Sequence, residues 1–531
     1  MPKQYFPYSE TGYFSTLMCD YLALEESTIP FYHRFPNLEN FKIQLEEKQL
    51  SVRAQSRTTL VESLKKQYAF CSPSEATLQN IESLQKDTTF TITTGHQLNL
   101  FTGPLYFLYK IVDAINLSEQ LKKTYPNYHF VPVYWMATED HDFDEINYFN
   151  FKGKKFAWKR NSGGAVGELS TEGLQEVYEN LKKEWRASTN AKELLALFSE
   201  SYLKHDTLAD ATRYLANELF KDNGLVIVDG NDAELKKAFI LYAEKELTEH
   251  LSFQKVTKTT EKLIETGYGE QVHAREINLF YLKEGLRERI IEKEGAFKVN
   301  ETQISFSKEE ILSELQNHPE RFSPNALLRP LYQEVILPNL CYIGGGGELA
   351  YWFQLKDYFE AVEVPFPILL LRNSALLVPK KTSEKLQKLE VPVSELFQKQ
   401  HELQSWFTKK LSGIEIDFTP QRKHLQQQFN NLYQLAEQTD ASFLGAVAAQ
   451  EKKQLKGLDN LEKRLLKAQK RKLADQLERL TAIQNELFPK GSLQERTLNF
   501  SELYLELGEE MLPLLKQELE PLNPQFLVLT V

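Results

Sequence analysis

The stretch from Thr89 to Tyr148 constrains the fold most, because it reads as strand, polar loop, helix, strand and polar loop in unbroken succession. Thr89 to Thr94 is a β-branched and aromatic run, and Gly95-His96-Gln97-Leu98-Asn99 ends it with polar groups and a residue free to take positive φ. Pro104 suits a first helical turn. After it Leu105, Leu108, Val112 and Ile115 recur at helical spacing, and Lys122 with Lys123 complements the dipole at the far end. His129 to Ala137 is apolar on both faces, as a strand covered by helices must be. It runs straight into Thr138-Glu139-Asp140-His141-Asp142-Phe143-Asp144-Glu145. The unit is βαβ. Such a crossover makes its strands parallel and is almost always right-handed, so both polar loops leave the carboxyl edge of one sheet. That edge is where open α/β sheets bind ligands, and a helix N-terminus there offers N–H groups to phosphate or carboxylate.

Other classes are narrowed by composition. A length of 531 residues is a prior for roughly three domains. A net charge of −11 leaves no overall footprint for nucleic acid or an anionic membrane. Cys19, Cys71 and Cys341 are far apart and form no CxxC pair, which argues against a zinc knuckle or disulfide scaffold and fits a reducing cytoplasm. The N-terminus has no apolar signal region and no run of about 18 apolar residues occurs, so neither export nor membrane spanning is expected.

Along the chain, Leu38 to Leu50 and Ser56 to Tyr68 read as helices, and Ser72-Pro73-Ser74-Glu75 as a capping box before Ala76 to Leu84. Tyr148 to Arg160 reads as a hairpin turning at Gly153, and Glu172 to Leu219 as amphipathic helices. Gly224 to Gly230 is a buried strand, followed by a helix over Glu234 to Leu247. Gly267 to Leu282 reads as extended, and a polar insertion follows up to Ser323. A helix from Leu331 to Leu337 precedes Cys341-Tyr342-Ile343 and the run Gly344-Gly345-Gly346-Gly347-Glu348. Another helix covers Leu349 to Phe359, and Phe366 to Leu371 is a further buried strand.

Beyond Pro379 the chain becomes rich in Gln, Lys, Glu and Leu. Leu455, Leu458, Leu465, Leu473, Leu477, Leu480 and Leu487 recur near coiled-coil spacing, which predicts a helical arm able to self-associate. The expected division is an α/β core over 1–380 with insertions at about 147–220 and 250–325, the arm over 381–490, and a tail over 491–531 whose helix and strand pack back on the body.

Thr94-Gly95-His96-Gln97 with Thr102-Gly103-Pro104-Leu105-Tyr106, the string Glu139 to Glu145, and the glycine run before Glu348-Leu349-Ala350-Tyr351 resemble the cysteine-adding enzymes of bacillithiol biosynthesis. The resemblance extends through Arg329-Pro330 and Leu371-Arg372-Asn373-Ser374 and covers nearly the whole chain. It implies a Rossmann-like parallel-sheet core related to class I aminoacyl-tRNA synthetases, a coiled-coil arm that builds a homodimer, and a ligase joining cysteine to the amine of glucosaminyl malate. ATP or another adenine nucleotide is the implied cofactor. Gly95-His96 corresponds to the end of the synthetases' H-I-G-H signature, with Thr93 where its first histidine would stand.

The same residues carry chemistry by themselves. Amide formation needs an electrophilic acyl carbon and a neutral amine, so a site must take a proton from an ammonium and offset charge on a leaving group. Glu139, Asp140, Asp142 and Asp144 can hold ammonium groups, and His141 among them is a candidate base. The bland alternative is a solvated acidic loop or a helix cap. His96, Gln97 and Asn99 are candidates for phosphate or carboxylate contact, against a simple turn. Gly344, Gly345, Gly346 and Gly347 could close on a nucleotide or form only a tight turn. Arg329 and Arg372 could pair with malate carboxylates or hold structural ion pairs. Metal binding by the acidic cluster is a less favoured alternative, since no second ligand group with metal spacing is evident. Two other classes stay open: a synthetase-like enzyme for a different amino acid or for nucleotidyl transfer, and a non-catalytic coiled-coil scaffold, which would leave the acidic string unexplained.

Overall fold

The crossover beginning at Thr89 forms the centre of a five-stranded sheet in the computed structural model, which describes residues 2–52, 54–185 and 187–531. Strands run in the spatial order Ile368–Leu371, Asn339–Gly344, Thr89–His96, His129–Met136, Val226–Asp229, and every neighbouring pair is parallel. Thr89–His96 therefore sits between the strand that follows it and one from much later in the chain. That reversal is the switch point at which doubly wound sheets open a crevice. Helix Tyr106–Thr124 crosses between the first two strands and is buried nearly all round, which its apolar spacing requires.

Sequence expectations fail at several boundaries for local reasons. The first strand runs on through Gly95 to His96. The cap before the early helix is Ser74, whose hydroxyl accepts from the Thr77 N–H, so the helix spans Glu75–Ser83 and the Ser72 capping box does not form. The helix expected over Leu349 to Phe359 is two pieces, Gly346–Phe353 and Lys356–Ala361.

The polar insertion after Leu282 is an antiparallel sheet, with strands Leu279–Lys283, Leu286–Lys293, Ala296–Val299, Ser305–Phe306 and Phe322–Pro324. Its second hairpin turns on Glu294-Gly295, where both φ angles are positive, 58° and 76°. Two-residue hairpin loops favour that geometry because its twist matches the strands. The hairpin at Tyr148–Phe151 and Lys154–Ala157 turns in the same way at Lys152-Gly153.

The two chain ends close the body. Lys3–Pro7 pairs antiparallel with Gln525–Thr530, which pairs parallel with Ala375–Val378. The arm consists of helices Gln400–Leu411, Thr419–Ala436, Ala441–Lys472 and Ala474–Leu487. Its leucine stripe is not one continuous outer seam. Leu477, Leu480 and Leu487 are buried within the chain, and the helix breaks at Leu473.

Candidate active site

At the carboxyl edge of the central sheet lies a cavity of about 570 Å3. Gly95 borders it, and a Cβ there would stand 3.1 Å from the Tyr342 hydroxyl, so a side chain would fit only if the tyrosine gave way by a few tenths of an ångström. The Gly95 carbonyl accepts from Lys110 Nζ at 2.6 Å, and the same ammonium lies 2.6 Å from Glu348 Oε1. Glu348 also accepts from the Tyr342 hydroxyl at 2.7 Å and the Gly345 N–H at 3.2 Å. Burial draws the Lys110 ammonium below the ordinary lysine range. Burial opposes the charge of Glu348 too, yet Lys110 and the hydroxyl hold its carboxyl below the usual range.

His96 is buried at the same edge. Its pKa is pushed down to about 3 by burial and by the neighbouring Lys110 charge. The Thr102 backbone bonds the ring in the sense that favours a proton, so a carbonyl accepts there, while Nε2 has no partner among the described residues. His96 is thus neutral at neutral pH, with its Nε2 lone pair buried and unpartnered among the described residues.

The acidic loop meets the Gly95–Asn99 loop directly, as expected from the handedness of the crossover. Gln97 Nε2 donates to Asp140 Oδ2 at 2.8 Å and to Glu145 Oε2 at 3.1 Å. The His141 N–H closes back on Asp140 Oδ1 at 2.7 Å. Glu139 borders the cavity but is engaged by Lys236, with Nζ 2.5 Å away. Asp142 and Asp144 are exposed at the short helix Phe143–Ile146 and do not line the cavity. Asn99 is buried beneath Gly103, where a Cβ would stand 2.5 Å from the Asn99 Cβ, and it donates to the Glu145 carbonyl.

The remaining candidates divide. Arg329 lines the cavity between the Trp135 and Tyr342 rings, bonded to Gln333 and the Tyr351 hydroxyl, with no carboxylate partner among the described residues. Arg372 lies 2.6 Å from the buried Glu495, outside the lining. Gly344, Gly345, Gly346 and Gly347 are outside it as well. Close packing accounts for two of them, since a Cβ on Gly346 would press on Met18 at 3.1 Å and one on Gly344 on Tyr342 at 3.0 Å. The donor end of their helix already carries the Glu348 carboxylate.

Sequence reasoning missed Lys110, Tyr106, Trp135 and Tyr351, which sit in apolar runs, and Phe280, Arg287 and Asn325, which the inserted antiparallel sheet brings in. The insertion's signal was the pair Glu284-Gly285 and Glu294-Gly295 between alternating strands. Among the described residues no group of three His, Cys, Asp or Glu could hold a metal ion.

A parallel sheet with a polar cavity at its switch point defines a Rossmann-like core built to hold a small molecule. Residues 1–373 match the family described as Bacillithiol biosynthesis BshC, N-terminal Rossmann-like domain, and residues 375–531 match its C-terminal coiled-coil domain. Relatives named "Putative cysteine ligase BshC" include those of Flavobacterium johnsoniae, 58% identical over 100% of both chains, and Christiangramia forsetii, 57% identical over 100% of this chain and 99% of its own. That of Cytophaga hutchinsonii is 41% identical over 91% and 90%. A solved Campylobacter jejuni protein described as a "putative arginyl t-RNA synthetase" aligns over 84% of this chain and 98% of its own at 11% identity, but a TM-score of 0.21 is too low to compare sites. The chain belongs to the bacillithiol biosynthesis BshC family.

Proposed function

We propose that the chain is a ligase that joins cysteine to the amine of glucosaminyl malate through an amide bond. The name its relatives carry supports this reading, and one observation of the cavity carries it: a carboxylate, Asp140, and an arginine with no carboxylate partner among the described residues, Arg329, border the same space. Glucosaminyl malate has an ammonium for the first and carboxylates for the second. Gln97 orients Asp140, and His96 and His141 border the same cavity, in reach of the bound substrate.

An adenine nucleotide is the proposed energy source, since a free carboxylate does not acylate an amine unaided. The cavity's other arginine, Arg287, is held against His141 and faces Glu139, Asp140 and Asp142, so contact with the anionic groups of substrate or nucleotide is proposed for Arg329. When bound, the nucleotide would supply the phosphoryl or adenylyl group that makes the cysteine carboxyl reactive towards the amine. The three cysteines are free, which favours a cytoplasmic setting.

The arm is proposed to pair with that of a second copy. Leu432, Leu435, Phe443, Leu444 and Leu461 stand exposed along it, and a groove lined by Leu425, Leu458 and Leu461 runs between two of its helices.

Titration calorimetry with glucosaminyl malate tests the site. Arg329→Met should weaken binding roughly 10- to 100-fold, the value of one charge-assisted pair. Equal affinity in wild type and variant would remove Arg329 from the site.

A further inference from the structure

We propose that Arg287, brought into the cavity by the inserted antiparallel sheet, is a positioning residue that fixes His141 with its proton on Nε2, so that His141 presents a hydrogen-bond donor to the substrate. The strand Leu286–Lys293 begins one residue before Arg287, and its pairing with Leu279–Lys283 sets Leu282 opposite Arg287. The Arg287 guanidinium lies over the Phe280 ring, 4.0 Å from its centroid, and Nε meets the Ser323 hydroxyl at 3.3 Å. Burial, ring and hydroxyl together leave it little freedom. From there Nη1 reaches His141 Nδ1 at 2.6 Å.

A guanidinium has donors and no acceptor. The His141 nitrogen it meets must therefore carry the lone pair, and in the neutral ring the proton lies on Nε2. The ring also meets Phe280, with centroids 5.5 Å apart, and the His141 backbone N–H is held by Asp140. The charged groups facing the pair are Glu139, Asp140 and Asp142, which offset the Arg287 charge, and Glu139 is itself engaged by Lys236. Asp140 Oδ1 is 3.7 Å from Nδ1, too far to compete with the guanidinium for that nitrogen.

The two histidines of the cavity then differ: His96 Nε2 is unprotonated and buried, whereas His141 offers a proton at Nε2. A donor at His141 can stabilise an oxygen that gains negative charge as an amine attacks an acyl carbon, and Asp140 is left as the acceptor beside that amine. This assignment of role rests on the ligase reading, whereas the tautomer does not.

The test is a long-range proton–nitrogen correlation spectrum of the full chain labelled with nitrogen-15 in its histidines, recorded at neutral pH and assigned by loss of one ring in His141→Asn. His141 should show an unprotonated Nδ1 and a protonated Nε2. Arg287→Met should lose this single pattern and show exchange between tautomers, and Arg287→Lys, which restores a charged donor, should recover part of it. A protonated Nδ1 in the wild type, or the wild-type pattern unchanged in Arg287→Met, would overturn the proposal. If Arg287→Met does not fold, the wild-type spectrum and Arg287→Lys decide it. The spectrum needs no turnover, so the ligase reading can fail with the tautomer intact, and the tautomer can fail with amide formation intact.

Discussion

Lys110 Nζ lies 2.6 Å from both Glu348 Oε1 and the Gly95 carbonyl, and this one ammonium ties together the two strand ends that flank the switch point of the sheet. Lys110→Met would leave the Glu348 carboxylate without its counter-charge. Breaking a buried pair by removing one partner costs about 3–5 kcal/mol, and partial exposure of Glu348 places this one near 3 kcal/mol. Denaturant unfolding should show that loss, with most of it recovered in Lys110→Met combined with Glu348→Leu. A single variant as stable as the wild type would show that the pair does not hold the strands together.

His96 gives stability a pH dependence of known sign. Its folded pKa, about 3, lies below the unfolded value, so between about 6.5 and 3 the unfolded chain binds a proton that the folded chain does not. Stability is therefore lost as pH falls through that window, by up to about 1.4 kcal/mol per pH unit. The stability difference between wild type and His96→Phe should shrink by that slope from pH 6 towards pH 4. A difference independent of pH would show that His96 protonates freely in the fold.

Within the acidic string, position predicts opposite outcomes for neighbouring residues. Asp140 lines the cavity and accepts from Gln97, whereas Asp142 is exposed beyond it. Asp140→Asn should raise KM for the amine at least tenfold, since it removes the charge that attracts the ammonium. Asp142→Asn should keep wild-type rates and lie within about 0.5 kcal/mol in stability, as exposed substitutions do. Steady-state kinetics of both variants check this, and equal losses in the two would show that the whole loop acts in binding.

On the arm, Leu461 stands exposed beside the groove between helices Thr419–Ala436 and Ala441–Lys472. Leu461→Glu should shift sedimentation at micromolar concentration from dimer towards monomer without loss of helix content. A wild-type chain that sediments as a monomer would remove the dimer from the account.

Much of the site's placement was legible because handedness is a strong constraint. One crossover, read from Thr89 to Tyr148, sufficed to bring Gln97 against Asp140. Arg329 was readable as a residue type, but not that no carboxylate among the described residues pairs with it. Lys110 was hidden because a charged residue in an amphipathic pattern reads as solvated, and only the covering of its helix by the tail and the glycine turn makes it internal. Arg287 was hidden for a different reason. It lies in an insertion whose alternation is broken by charge, and its contact with His141 spans 146 positions of sequence that no local pattern encodes. The role of Arg372 turned on Glu495, far along the chain in the C-terminal tail.

The most direct measurement incubates the purified chain with cysteine, glucosaminyl malate and ATP and follows products by mass spectrometry. An amide whose mass is the sum of the two substrates less one water should be formed by the wild type and be strongly reduced in Asp140→Asn and Arg329→Met. A folded wild-type chain that forms no such amide with ATP or another adenine nucleotide would contradict the ligase reading.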